Sequence, residues 1–351
     1  MKTRQVTTPI HSARNRTKFG VSLLSAVVLA AASTLSMAAT KVPFALDWKF
    51  EGPSAAFFAA IDNGHFAKAD LEVEVAAGQG SLAAIPKVAT GAFPLGFADI
   101  NSLAQFLDQN PGAPVTAIMM VYDKPPFAVV GRKSQGVTAP KDLEGRVLGA
   151  PPPDGAWAQF PAFSESAGID MDKVTVEPVG FPTREPMLAE GKVDAITGFS
   201  FSSYLNLVRL GVSEEDISVI LMADHGLELY GNAIIVNTDF AKANPDAVKG
   251  FLAGVAAGWN DVIADPAMGA EAVGARNPAA DVALEQRRLE LAIDANVRTD
   301  YTLANGMGGI DADRMAAALE QLAQNYEFKN TPDMSLYFDA SFLPEGNFPI
   351  K

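Results

Sequence analysis

The chain predicts a two-lobed α/β fold. Each lobe is a mainly parallel sheet flanked by helices, and two crossover strands join the lobes. Three observations predict it. Residues 44–99 and 147–199 repeat one order of elements, β-α-β-α-β. Helices in both copies end at a glycine suited to a left-handed cap: Gly64 and Gly91 in the first, Gly168 and Gly191 in the second. Two further strand-like segments stand outside the copies, where the chain must pass between lobes. A pair of similar lobes implies a cleft between them.

In the first copy a strand-like run, Phe44-Ala45-Leu46, leads into a polar loop, Asp47 to Pro53. An apolar-periodic helix from Ser54 to Ile61 follows. Then come a strand over 71–75, a Gly-rich turn, a helix through Ile85, Val88 and Ala89, and a strand over 93–97 that stops at Asp99. The second copy reads strand 147–149, loop 150–156, helix 157–166, strand 174–176, helix 184–190 and strand 193–196. The apolar runs Val115 to Met120 and Phe127 to Gly131 flank Tyr122-Asp123-Lys124-Pro125-Pro126 and fit one crossover. Leu229 to Val236 fits the other.

Beyond Asn237 the pattern becomes helical. A long helix begins at Asn244-Pro245, with Val248, Phe251, Leu252, Val255, Trp259 and Val262 at helical spacing. Further helices are predicted over 281–294 and 311–326, packed on the first lobe, with a Pro- and Phe-rich strap from Pro332 to Lys351. The expected division is 39–123 with 232–351 for lobe one and 124–231 for lobe two.

Residues 1–38 read as a signal peptide. Lys2, Arg4, Arg14, Arg16 and Lys18 form a basic region, Phe19 to Leu35 carry no charge, and Ser36-Met37-Ala38 offers small residues for cleavage after Ala38. The alternative is an uncleaved anchor, which the Ala- and Ser-rich stretch and the cleavage-like triplet disfavour. Cleavage would leave 22 basic against 41 acidic residues, a net charge of −19. That balance argues against nucleic acid and anionic membrane surfaces as partners. The chain has no cysteine. A thiol nucleophile, thiolate metal sites, disulfides and a lipid-anchored cysteine are therefore excluded.

In parallel sheets ligands bind beyond the carboxyl ends of the strands. The duplication thus selects six loops: Asp47 to Pro53, Gly78 to Ser81, Ala98 to Ser102, Pro151 to Trp157, Gly180 to Glu185, and Phe199 to Tyr204. Tyr122 and Tyr230 join them from the crossovers. Trp48 lies in a polar loop rather than on an apolar stripe, so it is a candidate ligand contact; it could equally cap a helix. Trp157 starts a helix and is a candidate for either core or ligand, whereas Trp259 belongs to the apolar stripe. Asp99 and Asn101 precede and open a helix, as N-cap, ligand acceptor or both. Asp47 and Glu51 add negative charge at the same mouth. Arg184 lies near a helix N-terminus, where anions are favoured, unless it pairs with Glu185 or Glu51. Phe199 opens the last loop. No catalytic motif is present: there is no Gly-x-Ser-x-Gly elbow, His-Glu-x-x-His or phosphate-binding loop.

Leu46-Asp47-Trp48, Asn63-Gly64-His65-Phe66 and Leu71-Glu72-Val73 carry a resemblance to a known family. It continues through Thr90-Gly91-Ala92-Phe93, Gly96-Phe97-Ala98-Asp99, Lys141 to Arg146 and Leu188 to Ala195. The chain resembles the periplasmic substrate-binding proteins of nitrate, sulfonate and taurine importers and their thiamine-pyrimidine-precursor-binding relatives. The resemblance implies a type II periplasmic binding protein fold, a monomer that closes by hinge rotation on one small molecule. It implies delivery to an inner-membrane ABC permease with its ATPase, without cofactor, metal or enzymatic activity. The Leu-Asp-Trp opening is more like the pyrimidine-precursor group, whose ligands stack on aromatics. Synthases of that group use a cysteine cluster, which this chain lacks. The reading favours a heteroaromatic, pyrimidine-like ligand at Asp47, Trp48, Glu51, Asp99, Asn101, Tyr122, Trp157, Arg184, Phe199 and Tyr230. The alternative is a small anion or sulfonate such as taurine, an alkanesulfonate or nitrate. More remote are an exported enzyme or a sensor module with the same cleft.

Overall fold

The computed structural model describes residues 39–351; the expected signal peptide and its cleavage site after Ala38 lie outside them. Among the described residues, ten strands form two five-stranded sheets. In the first lobe β1 (Thr40–Ala45), β2 (Leu71–Ala76), β3 (Leu95–Asp99) and β4 (Val115–Met120) are joined by a strand from late in the chain. The second lobe holds β5 (Phe127–Arg132), β6 (Val147–Ala150), β7 (Thr175–Pro178), β8 (Ala195–Phe199) and β9 (Ile217–Leu221). The chain then returns as β10 (Asn232–Asn237). The spatial orders are β2-β1-β3-β10-β4 and β7-β6-β8-β5-β9. They are the same order, with β10 and β5 as the one reversed strand in each sheet. Each is the first strand laid down after a crossover.

The duplication extends to register. In lobe one Phe44 and Ala45 pair with Leu95 and Gly96, and in lobe two Leu148 and Gly149 pair with Ala195 and Ile196. Helices α1 (Ala55–Asp62), α2 (Ser81–Ala89) and α3 (Ile100–Gln109) flank the first sheet. Helices α4 (Gly155–Ala158), α5 (Phe160–Ser166), α6 (Phe181–Ala189) and α7 (Ser200–Arg209) answer them in the second. Gly64, Gly91, Gly168 and Gly191 all stand at positive φ, between 66° and 75°, so they are the left-handed stops that the sequence predicted.

Several boundaries move for local reasons. The helix expected over 157–166 is two helices, because Pro161 has no N–H to return to the Trp157 carbonyl. The helix expected from residue 184 starts at Phe181, where Gly180 is the extended N-cap and Pro182 fits the first turn. The last strand of each copy runs two or three residues further than expected, up to the residue that caps the next helix.

The tail forms α8 (Thr238–Ala243), α9 (Pro245–Ala264), α10 (Pro266–Arg276), α11 (Val282–Ala292), α12 (Asp300–Asn305), α13 (Ala312–Ala323) and α14 (Met334–Tyr337). The stripe of α9 is buried against α1, with Trp259 fully enclosed. The expectation that the whole tail packs on lobe one needs correction. Helix α11 also touches α7, and α13 holds both crossovers: Arg314 donates to the carbonyls of Asp123 (2.6 Å) and Leu229 (2.9 Å). Long polar side chains at the right positions on these helices reach past the first lobe.

Candidate functional site

The loops after β1, β2, β6, β7 and β8 meet between the sheets around a cavity of about 20 Å³. Asp47 and Trp48 come from the first, Gly80 and Ser81 from the second, Asp154 and Gly155 from the third. Phe181 and Arg184 follow from the fourth, and Phe199 and Ser202 from the fifth. A second cavity of about 30 Å³ adjoins it, reached by Glu51, Tyr122 and Phe201. Each has room for about one water. The lobes touch across this cleft. Gly80, at φ 98°, lies so near the Pro153 carbonyl that a Cβ there would be 2.3 Å from the oxygen.

Aromatic rings form one wall. Trp48 of lobe one meets Phe181 of lobe two edge to face, with ring centroids 4.5 Å apart. The Arg184 guanidinium lies 5.8 Å from the Trp48 centroid and 5.4 Å from that of Phe181. The Trp48 indole N–H is buried and has no partner within the protein. A buried donor of this kind is satisfied by an acceptor on a bound molecule or water.

Behind the rings lie buried carboxylates. Asp47 accepts from Asn232 Nδ2 at 2.7 Å. Burial pushes its carboxyl up to about 7, against the Asn232 hydrogen bond, and the charges of Asp99 and Asp154 push it further. Asp99 caps α3, accepting from the backbone N–H groups of Asn101 (3.1 Å) and Ser102 (2.8 Å). It also accepts from Ser102 Oγ at 2.6 Å, Asn101 Nδ2 at 2.7 Å and, across the cleft, Gln159 Nε2 at 3.3 Å. Burial still raises it to about 6, because desolvation outweighs those hydrogen bonds. Asp154 accepts from Thr197 Oγ1 at 3.0 Å and stands 3.7 Å from Arg184, and burial raises its pKa as well. Arg184 is already engaged: its Nε and Nη2 donate to one Glu185 oxygen at 3.0 and 2.7 Å. Burial favours the neutral Glu185 carboxyl, but the Arg184 charge and the hydrogen bonds to the carboxylate together outweigh it and hold the pKa below the ordinary range. Glu51 accepts from Ser202 Oγ at 2.7 Å across the cleft and lies 3.3 Å from Arg288.

Six of the sequence candidates therefore line the cavities: Asp47, Trp48, Glu51, Tyr122, Arg184 and Phe199. Asp99 and Asn101 stand one layer behind, Asp99 as an N-cap and Asn101 donating to the Tyr230 carbonyl at 2.7 Å. Two candidates lie elsewhere. Trp157 stacks on Phe160 at 5.6 Å and packs on the core, because the short helix α4 turns its side chain away from the cleft. The Tyr230 ring lies under the Arg314 guanidinium at 4.0 Å, and its hydroxyl accepts from the Asp311 N–H. Sequence reasoning did not single out Ser81, Asp154, Gly155, Phe181 or Ser202, although every one lies in a loop that the duplication selects. Asp154 occupies an N-cap position before a helix, like Asp99, which is the signal that could have found it.

Two matching sheets closed over a polar, aromatic-walled cleft define the substrate-binding protein fold of membrane importers. The alkanesulfonate-binding protein SsuA of Xanthomonas axonopodis pv. citri, bound to MOPS, superposes with a TM-score of 0.65 at 15% identity. The superposition covers 85% of this chain and 96% of that one, and the likeness is one of fold. The chain belongs to the NMT1/THI5 like family, whose profile matches residues 53–268. The riboflavin-binding protein RibY of Chloroflexus aurantiacus is 28% identical over 171 residues, 48% of this chain and 47% of that protein. The chain thus matches about half of that relative's length. The formylaminopyrimidine-binding protein of Halalkalibacterium halodurans is 24% identical over 254 residues, 70% of this chain and 75% of that protein. A 4-amino-5-hydroxymethyl-2-methylpyrimidine phosphate synthase of Saccharomyces cerevisiae, THI13, is 24% identical over 240 residues, 66% and 69% of the two chains. Binding proteins and synthases are both among its relatives.

Proposed function

We propose that this protein is the exported ligand-capturing component of an ABC importer, and that its ligand is a heteroaromatic, pyrimidine-like molecule carrying hydrogen-bond donors. The lobes, 39–123 with 232–351 and 124–231, rotate about the crossovers to close on it, and the loaded monomer hands it to the permease and its ATPase.

The observation that carries the ligand class is the charge balance of the cleft. Asp47, Asp99 and Asp154 are buried acceptors with raised pKa values. Both buried cations nearby are already spoken for, Arg184 by Glu185 and Asp154, Arg288 by Glu285 and Glu51. A sulfonate or nitrate would enter a site whose buried cations are both committed and whose buried neighbours are acidic, which is costly; the one other cation at the cavities, Lys49 beside Trp48, is exposed to water. A flat ring with amino or ring N–H groups instead gains acceptors from Asp47 and Asp154, which line the first cavity, and contact with Trp48, Phe181 and Phe199. The names of the flavin- and pyrimidine-binding relatives agree with this class.

Ligand sites typically enclose about 300–1,000 Å³, so cavities of about 20 and 30 Å³ require the cleft to widen before a molecule enters. A binding role rather than synthesis is supported by the cysteine-free chain, since the synthase resemblance implies a cysteine cluster.

The test is thermal melting against pyrimidines, flavins, sulfonates and nitrate, with mass spectrometry of whatever co-purifies under native conditions. A rise in melting temperature with an aminopyrimidine or flavin supports the reading. A rise with sulfonate or nitrate alone overturns the ligand class, and no response to any of them, with nothing co-purified, overturns the transport role.

A further inference from the structure

One buried cation outside the cavity walls joins the lobes at the edge of the cleft. Arg288 of α11 has a side chain only 1% exposed. Within lobe one its Nε donates to Glu285 Oε2 at 3.0 Å, and its Nη1 lies 3.3 Å from Glu51 Oε2. Across the cleft, Nη1 donates to the carbonyls of Ser202 (3.0 Å) and Phe201 (3.4 Å), and Nη2 to Asn206 Oδ1 (3.3 Å). All three acceptors belong to α7 of lobe two.

The lobe-one half of this arrangement is rigid. Glu285 Oε2 accepts from the Gly52 N–H at 2.6 Å. Gly52 approaches the α11 backbone so closely that a Cβ would lie 2.3 Å from the Glu285 carbonyl oxygen. The loop that carries Trp48 and Glu51 is thereby fixed to α11. The lobe-two half is the first turns of α7, which also supply Ser202 to both cavities. Arg288 therefore ties the loop on one side of the cleft to the helix on the other without lining either cavity.

We propose that Arg288 is the positioning residue that latches the lobes shut, setting how tightly the cleft holds its ligand without touching it. This rests on the reading of the molecule as a closing clamp. The physical reason is an asymmetry between the two states. When the lobes part, Arg288 keeps both carboxylates, so its charge stays compensated and the fold of lobe one is not at stake. Only the acceptors on α7 are lost, and hydrogen bonds from a buried guanidinium are stronger than neutral ones. The latch thus favours closure specifically. Its neighbour Arg287 makes a parallel contact with Glu214, both about half exposed. Water screens that pair and leaves it a minor contributor.

The test exploits the absence of native cysteine. A self-quenching fluorophore pair is placed at Gln79→Cys and Pro152→Cys, two exposed positions beside the Gly80–Pro153 contact, and emission reports the open fraction of the ligand-free protein. Arg288→Lys keeps the charge for Glu285 and Glu51 but cannot reach three acceptors on α7 at once. Asn206→Ala removes one acceptor from the other lobe and decides the matter if Arg288→Lys fails to fold. The expected result is an open-to-closed ratio raised about fivefold or more by Arg288→Lys, and by less in Asn206→Ala. Glu214→Gln should move it least. Unchanged emission in the folded Arg288→Lys and Asn206→Ala proteins overturns the latch, as does an equal effect from Glu214→Gln. Because this readout uses no ligand, it stands or falls separately from the ligand class.

Discussion

Asp47 carries a consequence for stability. In the unfolded chain its carboxyl titrates near the ordinary value of about 3.9, and in the folded protein it is pushed up to about 7. Between those values the native state holds the extra proton, so stability present below about pH 4 is lost as pH rises toward 7. Asp47→Asn keeps an acceptor for Asn232 and removes that loss. The variant should melt a few degrees above wild type at pH 8 and converge with it near pH 4, as thermal melts at the two pH values would show. Trp48 makes a different contribution, because its face and its unpartnered N–H both belong to the cleft. Trp48→Ala should weaken an aromatic ligand by about 1–3 kcal/mol, read by fluorescence titration, with the protein still folded.

At the scale of elements, the two halves of the cleft fit by close approach of backbone. Gly80 opens α2 and meets the Pro153 carbonyl across the cleft. Gly80→Ala puts a methyl group into that contact and forces an L-residue to adopt positive φ. The backbone cost alone, at φ 98° and ψ 153°, is about 1–3 kcal/mol, borne by open and closed states alike. The clash is borne by the closed state only and costs about 1–3 kcal/mol. Affinity should therefore fall roughly tenfold or more, while the ligand-free melting temperature drops by the backbone cost alone. Calorimetric titration beside a melt separates the two effects, and equal losses in both would place Gly80 in the fold rather than in closure.

For the molecule as a whole, the proposed closure links binding to stability, because a molecule held by both lobes would be held only in the folded state. At a free concentration one hundred times its Kd, a ligand adds about 2.7 kcal/mol, which should raise the melting temperature by several degrees and keep raising it with concentration. A saturating plateau would contradict binding to the native state alone. Arg314 of α13 holds both crossovers through the Asp123 and Leu229 carbonyls, the segments about which the proposed closure would turn. Among the described residues no helix is long and apolar enough to cross a membrane.

Much of the architecture was legible because it is written in local rules. Glycine stops, strand–helix alternation and the apolar stripe through Trp259 each depend on neighbours within a turn or two, so two matching lobes followed from the order of residues. The duplication also selected, from the sequence alone, every loop that lines the first cavity. What it could not decide was which side chains in those loops face inward. Trp48 and Trp157 both sit in selected loops, yet only Trp48 reaches the cleft. Tyr230 looked like a hinge aromatic until Arg314, 84 residues away, covered its ring. Phe181 and Ser202 carry no local signal at all. Arg184 offered either an anion site or a pair with Glu185 or Glu51, and only the tertiary structure decides for Glu185 and adds Asp154. Local sequence determines where a chain turns, because propensity and periodicity act over a few residues. Pairing of charges, desolvation of carboxylates and contact across the cleft belong to the tertiary structure, because they depend on groups that only folding brings together.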